Sequence, residues 1–454
     1  MANPQLLRHP LAIAGAILTT AAAVLFIALV IAILLGLLQN PYAGLVVFVA
    51  IPLCFIVGLL FIPMGIALQR RRLARDPTAG DWPVVDFGRA GVRRTALVVT
   101  ALSAVNVVIL LLAGYGGLHW MESPRFCGQV CHTPMQVQFA AWQGASHARV
   151  ACVQCHIGEG PRAFVHAKLS GVRQLVQVAT NSYPRPIPPG AQMPEGAQAQ
   201  TCGSCHQPGR PTGDRIRVIH EFADDEGNAE TTTVLQMHMS ASALRPRGIH
   251  WHANPAVRVE YVATDAERQT IPYVKVTNAN GQVKEYVATD AKEQAFNAAP
   301  RRTMDCIDCH NTSGHPIAPT AEQAIDRAIA TGRASRDLAY ARREGLRLVK
   351  ASYPSQDAAA RAIDEGLRQF YASRGSSIDQ QAVARTVAAF QDVYRRNVFP
   401  EMKVTFGTYP DNRGHITSTG CFRCHDDSHM AKDGSTISAD CDFCHKQLDE
   451  EPRS

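Results

Sequence analysis

"RFCGQVCHTPM", residues 125–135, sets Cys127 and Cys131 three residues apart and follows the second with His132. Downstream, five pairs enclose two residues each and are again followed by histidine. They are Cys152/Cys155/His156, Cys202/Cys205/His206, Cys306/Cys309/His310, Cys421/Cys424/His425 and Cys441/Cys444/His445. Of the 13 cysteines only Cys54 stands outside such a pair. Zinc ribbons and redox disulfides also use Cys-x-x-Cys, but neither requires a histidine after every second cysteine. Cys-x-x-Cys-His does: two thiols bond to the vinyl groups of a haem and the histidine binds its iron. The five regular sites therefore read as covalent haem c, and the 127–131 site as a sixth with one residue inserted.

Toward the N-terminus, residues 11–38, 42–68 and 95–118 contain no Asp, Glu, Lys or Arg. At about 1.5 Å per residue, each is long enough to cross a hydrocarbon core of roughly 30 Å as a helix. Segment 11–38 far exceeds the apolar part of a signal peptide and has no small-residue cleavage pattern, which predicts a retained span. The expected arrangement is a two-helix membrane hairpin over 1–68, a loop over 69–94 and a third transmembrane helix over 95–118. The loop carries Arg70, Arg71, Arg72, Arg75, Arg89, Arg93 and Arg94, whereas "QNPY" between the first two spans is uncharged. Basic loops stay inside, so 69–94 is expected in the cytoplasm and residues 119–454 on the periplasmic side of a bacterial inner membrane, where haem c is attached. The hairpin could shape a quinone pocket, contact partner membrane subunits or serve as plain anchor.

The formal charge of +6 belongs to this membrane part. Residues 1–118 hold 8 Lys and Arg against 3 Asp and Glu, which leaves the rest at +1. Propionates of several haems would turn that part acidic. This argues against nucleic acid as a partner and fits docking to basic patches.

The stretch "GYGGLHWMESPRFCGQVCHTPM" runs on into "GASHARVACVQCHIGEGPRAFVHAKLSGVRQL". It resembles the NapC/NirT family of membrane-anchored multihaem quinol dehydrogenases, over roughly residues 95–206. The shared features are one anchor helix, "RFC…CH" a few residues beyond it, a nearby methionine, a second site about 20 residues on, and a basic helix after that. The resemblance implies a quinol pocket beside the first haem and electron transport of the kind used in anaerobic respiration. It also implies that Met135 can take the iron in place of His132. Met135 stands one position further from the motif histidine than the family pattern has it, and ordinary packing of Met135 with His132 on the iron is the alternative. A thioether ligand would raise the potential relative to two imidazoles. On the following helix the family places a lysine and an acid facing the quinol. Here Lys168 is shifted by one position, and Gln174, which accepts no proton, stands where the acid is expected; Lys168 read alone is equally an interfacial lysine.

Further histidines must complete the irons. His147 and His166 match distal ligand positions of the family. His315, five residues past His310, and His415 and His429, which flank the fifth site, are similarly placed. His238 lies in an alternating stretch, and "GIHWH" puts His250 and His252 on one face if extended; these three are candidates for the third and fourth haems. Two imidazoles per iron suit low-potential electron carriers.

Residues 119–206 form the family-like three-haem region. Over 207–305, "TTTVLQMHMS", "VRVEYVATD", "YVKVTN" and "QVKEYVATD" alternate as strands do, "NANGQ" reads as a hairpin turn, and the repeated "EYVATDA" at 260–266 and 285–291 predicts two similar strands in one small sheet. Residues 306–319 hold the fourth site. Residues 320–400 show helical periodicity and predict a helical subdomain, and 401–454 hold the last two sites. The fold class expected is a mainly α, membrane-anchored multihaem cytochrome c: three transmembrane helices and a haem-packed periplasmic domain with a small β insertion. The function expected is oxidation of the membrane quinol pool through six haems, with electrons passed to periplasmic cytochromes or a reductase. A haem subunit that never meets quinol is one rival. A terminal reductase of a small oxyanion is another, for which Cys-x-x-Cys-Lys would be typical; none occurs.

Overall fold

The computed structural model describes residues 9–34, 47, 50–75, 87–130, 132–157, 161–189, 201–206, 213–240, 248–292, 296, 299–375 and 378–453. The expected links 35–46 and 76–86, Cys131, and the side chain of His132 lie outside the described residues. The chain divides into two compact units, residues 1–130 and 131–454.

The first unit is helical. Helix α1 spans Pro10–Leu34 and α2 spans Ile51–Arg75. Among the described residues these two are long and apolar enough to cross a membrane, over Pro10–Leu29 and Ile51–Arg71. They pack through small residues. A Cβ added to Gly58 would stand 2.5 Å from Thr19 Oγ1, one on Gly15 would stand 2.7 Å from the Gly58 carbonyl, and one on Gly65 would meet the backbone of Ala12. Lipid offers no hydrophobic drive for helices to associate, so close backbone approach of this kind holds such pairs together. Ile17, Val24, Leu53 and Leu60 point outward, each more than half exposed. Gly58→Leu is therefore expected to lower the melting temperature and the yield of folded protein, while Ile17→Leu on the outer face leaves both unchanged. Equal behaviour of the two variants would show that the glycine contact does not hold the hairpin. Helix α3, Ala90–Met121, is one continuous helix containing the whole 95–118 segment. Its end carries aromatic contacts: His119 Nε2 lies 2.9 Å from Tyr115 Oη, and Trp120 meets Phe126 edge-on at 4.8 Å.

The second unit begins with α4, His132–Gln143, then α5, Cys152–His156, and α6, Pro161–Ala179. Two antiparallel sheets follow. Strands β1 (Arg215–Phe222), β2 (Glu230–Met237) and β8 (His445–Arg453) form one, in the order β1-β2-β8. The other has the order β6-β3-β4-β5-β7, from β3 (Arg258–Val262), β4 (Tyr273–Thr277), β5 (Val283–Ala288), β6 (Arg302–Thr303) and β7 (His429–Ala431). The two "EYVATDA" copies flank β4 symmetrically, with Glu260 and Glu285 both opposite Lys275. The turn after β4 closes with Asn278 N–H donating to the Gln282 carbonyl at 3.0 Å and with Gly281 at φ 76°. The repeat predicted two similar strands in one small sheet, and β3 and β5 share one. The 207–305 stretch as a whole feeds two, and each is finished by a strand from the C-terminal segment.

Short helix α7, Cys306–Cys309, precedes the helical subdomain of α8 (Ala321–Ala330), α9 (Ala341–Val349), α10 (Gln356–Ala372) and α11 (Gln380–Asn397). Thr320, Ser355 and Asp379 cap three of these by accepting backbone N–H groups. Its core forms largely among its own helices and is joined by Phe222 of β1: Ile325, Ile363, Leu367, Tyr371, Phe390 and Tyr394 are fully buried. A smaller core joins Val137 and Ala141 of α4 to Ile317, Phe399, Met402 and Val404. This ties the helix after the first motif to the rest of the unit.

Candidate metal centres

Three of the regular motifs fold alike. In the third, fourth and fifth, the N–H of the motif histidine donates to the carbonyl of the first cysteine, at 2.8, 2.8 and 3.1 Å for His206, His310 and His425. This single helical turn carries both thiols and the imidazole in register. The odd site is built differently. A π-helical turn covers Phe126–Val130, and a π turn takes in one residue more than an α turn. The additional residue of the first motif is thus absorbed by a wider turn containing Cys127.

Each regular motif histidine has a second histidine facing it. Ring centroids are 5.9 Å apart for His156 and His315, 5.9 Å for His147 and His206, and 6.3 Å for His250 and His310. They are 5.8 Å apart for His252 and His425 and 6.1 Å for His415 and His445. With a metal–imidazole bond of about 2 Å and a ring nitrogen roughly 1 Å from its centroid, two imidazoles on opposite sides of one metal have centroids about 6 Å apart. The five pairs sit at that span. Burial lowers the pKa of His252 and of His315 to about 4, so both rings are neutral, the form that binds metal.

The pairs differ in tilt. His156/His315, His250/His310 and His415/His445 are near parallel, at 10°, 25° and 23°. His147/His206 and His252/His425 stand at 72° and 87°. Parallel imidazoles split the two iron orbitals they donate to, and crossed ones leave them nearly degenerate. The two arrangements therefore give different EPR signals, rhombic for the first and large-gmax for the second.

Other candidates fall elsewhere. His250 and His252 lie on a 3-10 turn, Ile249–Ala253, not on a strand, and so point apart. One meets the fourth motif and the other the fifth, where the extended reading gave the third and fourth. Gly248, at φ 105°, turns the chain into it. His238 sits one residue past β2, with Nδ1 2.9 Å from Asp214. His429 is buried with both ring nitrogens engaged, Nδ1 2.8 Å from Asp426 and Nε2 2.7 Å from the Ile271 carbonyl. His166 is exposed on α6. Met135 is half-buried on α4, and Lys168 is half-buried on α6. At about 100° per residue, Lys168 and Gln174 lie about 120° apart around that helix. Lys168 shares the side of the exposed Leu169, Val172 and Val176, while Gln174 donates to Ser170 Oγ at 3.2 Å on the other.

The residues fit haem better than a bare ion. Among the described residues no group of three or more His, Cys, Asp or Glu converges on one point as a zinc site would. Burial pushes the thiols of Cys306 and Cys424 up to about 12 and those of Cys309 and Cys444 up to about 11, which disfavours thiolate ligation. Buried polar atoms around the motifs, Trp251 Nε1, Thr312 Oγ1 and His445 Nδ1, have no hydrogen-bond partner among the described residues. Propionates or ordered water would satisfy them.

Apolar helices beside a unit of paired cysteines and facing histidines define a membrane-anchored multihaem c-type cytochrome. The N-terminal region of the NapC/NirT cytochrome c family matches residues 90–186. The chain is also 35% identical over 450 residues to the cytochrome c-type protein ImcH of Geobacter sulfurreducens, covering 97% of this chain and 88% of that one. No solved structure matches it. The chain belongs to the NapC/NirT family of c-type cytochromes, and its haem is covalently bound.

Proposed function

We propose that the chain is a hexahaem quinol dehydrogenase of the bacterial inner membrane that passes electrons from the quinol pool to periplasmic redox partners. The observation that carries this is the set of five histidine pairs, each joining a motif histidine to one from elsewhere in the chain at 5.8–6.3 Å. When bound, haem supplies one-electron carriage, and two imidazoles keep its potential low. The cysteines fix each macrocycle and the paired rings set its axis. At these five sites two histidines would hold the iron from both sides and leave no place for a small oxyanion, which disfavours the terminal-reductase reading there. The uncharged 95–118 stretch of α3 supports a third span, and the arginines at 70–75 and 89–94 support a cytoplasmic loop with 119–454 outside.

Membrane-proximal position singles out the 127–131 site for quinol. The small core around Val137 and Ala141 fixes α4, which carries Met135, within its own unit. Lys168 shares its side of α6 with three exposed apolar residues, a placement suited to the membrane interface, where it can orient a quinol hydroxyl. Gln174 faces away and, as an amide, accepts no proton. Met135→Leu is expected to keep all six haems by pyridine haemochrome assay, change the spectrum of one and abolish reduction by a menaquinol analogue, while a chemical reductant still reduces the others. Wild-type quinol oxidation in this variant would remove Met135 from the site.

A further inference from the structure

The ligand pairs are interleaved along the chain, and the interleaving fixes which sites are neighbours. Residues 147–156 supply His147 to the third site and His156 to the second. Residues 306–315 supply His310 to the fourth and His315 to the second. The turn Ile249–Ala253 supplies His250 to the fourth and His252 to the fifth. Residues 415–425 supply His415 to the sixth and His425 to the fifth. Cysteine neighbours agree. Cys155 lies within electrostatic range of Cys202 and Cys205, and Cys202 of Cys306. Cys309 lies within the same range of Cys421, and Cys444 of Cys421. Sites two, three and four thus form an inner cluster and sites five and six an outer pair. Among these contacts the two groups meet where site four adjoins site five.

That meeting point is fastened on both sides. On the distal side two ligands sit two residues apart on one turn. On the attachment side stands Arg423, the residue before Cys424, itself only 8% exposed. Its Nη2 donates to the Asp308 carbonyl inside the fourth motif at 2.8 Å, its Nη1 to the Arg268 carbonyl at 2.8 Å and its Nε to the Gly420 carbonyl at 2.7 Å. All three acceptors are neutral carbonyls, so the guanidinium brings a positive charge between the two attachment peptides. Asn412 Nδ2 donates to the same Asp308 carbonyl at 3.1 Å.

We propose that Arg423 and the Ile249–Ala253 turn build a two-haem junction that joins the inner cluster to the outer pair, and that the buried guanidinium of Arg423 sets the potentials of both haems there. This rests on the haem-ligand reading above but not on quinol as donor. A nearby positive charge disfavours the oxidised iron, so removing it lowers the potential. In an EPR-monitored redox titration of the full-length holoprotein, Arg423→Gln is expected to lower two midpoints. One belongs to a rhombic signal, site four, and one to a large-gmax signal, site five. Each reduction equilibrium should fall by about threefold to tenfold, tenfold being about 59 mV for one electron. The second site should stay in place, and Arg423→Lys should restore both. A shift confined to one signal, or none, overturns the junction. If Arg423→Gln loses a haem, His252→Met decides: its thioether raises the fifth midpoint so that this site is reduced first, and the electron it then carries lowers the fourth midpoint while the second stays. A fourth midpoint that does not move overturns the proposal. A loss of all low-spin signals in the unmodified protein would instead overturn the ligand reading itself.

Discussion

In the EPR spectrum of the oxidised holoprotein, two of the five regular haems are expected to give large-gmax signals and three to give rhombic ones. His252→Ala should remove one large-gmax signal and replace it with a high-spin signal, because one axial position of the fifth site loses its imidazole. His429→Ala should leave every low-spin signal in place, since both nitrogens of that ring already serve Asp426 and the Ile271 carbonyl. The opposite result, a high-spin signal in His429→Ala and none in His252→Ala, would reverse the assignment of the fifth site.

Asp308→Ala is expected to cause the largest loss of stability in the haem-bearing unit. Asp308 is 1% exposed and lies inside the fourth motif, where its carboxylate accepts from Tyr261 Oη at 2.8 Å and Arg302 Nε at 3.1 Å, with Arg268 Nη1 at 3.3 Å. Its second oxygen accepts from Asp305 N–H at 2.7 Å and caps α7. Removing one partner of a buried charge pair costs about 3–5 kcal/mol, because the charge left behind has lost both water and partner. That is a large share of the roughly 5–15 kcal/mol that separates folded from unfolded domains. Tyr261→Phe removes a single hydrogen bond, about 1 kcal/mol, and should melt close to the wild type. Equal melting temperatures for the two variants would mean that the arginines are held by something other than Asp308.

Haem c was legible in the sequence because covalent bonding demands fixed local spacing, and the two apolar helices α1 and α2 because lipid demands long uncharged runs. The pairing of the histidines was not. His147 meets His206 and His156 meets His315 only after the chain has folded back, and no local pattern records the match. His415 and His429 flank the fifth site almost symmetrically, yet Asp426 draws His429 into a buried hydrogen bond and leaves His415 to face His445. The loop that delivers His415 depends on Gly420, at φ 48°, whose backbone abuts Gly414. Strand β2, in "TTTVLQMHMS", carries the alternation that marks it as a strand. Strand β8, "HKQLDEEPR", carries no such mark: it is charged throughout and owes its conformation to pairing with β2. The helical subdomain was legible from its periodicity, since its core forms largely among its own helices.

The sheets have a consequence for how the protein is made. Met237 of β2 pairs with His445, and Tyr286 of β5 pairs with Ala431. Near the start of the same unit, His147 contacts the Ser313 carbonyl 166 residues further on. A chain exported amino-terminus first presents Cys152 and Cys155 to the attachment machinery long before His315 and the edge strands arrive, whereas the facing histidines of the other four pairs precede their motifs. Bringing such distant segments together is slow, because the ends of a long loop must find one another before any contact rewards them. Maturation should therefore run in two stages, with haems fastened first by their own motifs and the two sheets closed only once β7 and β8 have been delivered.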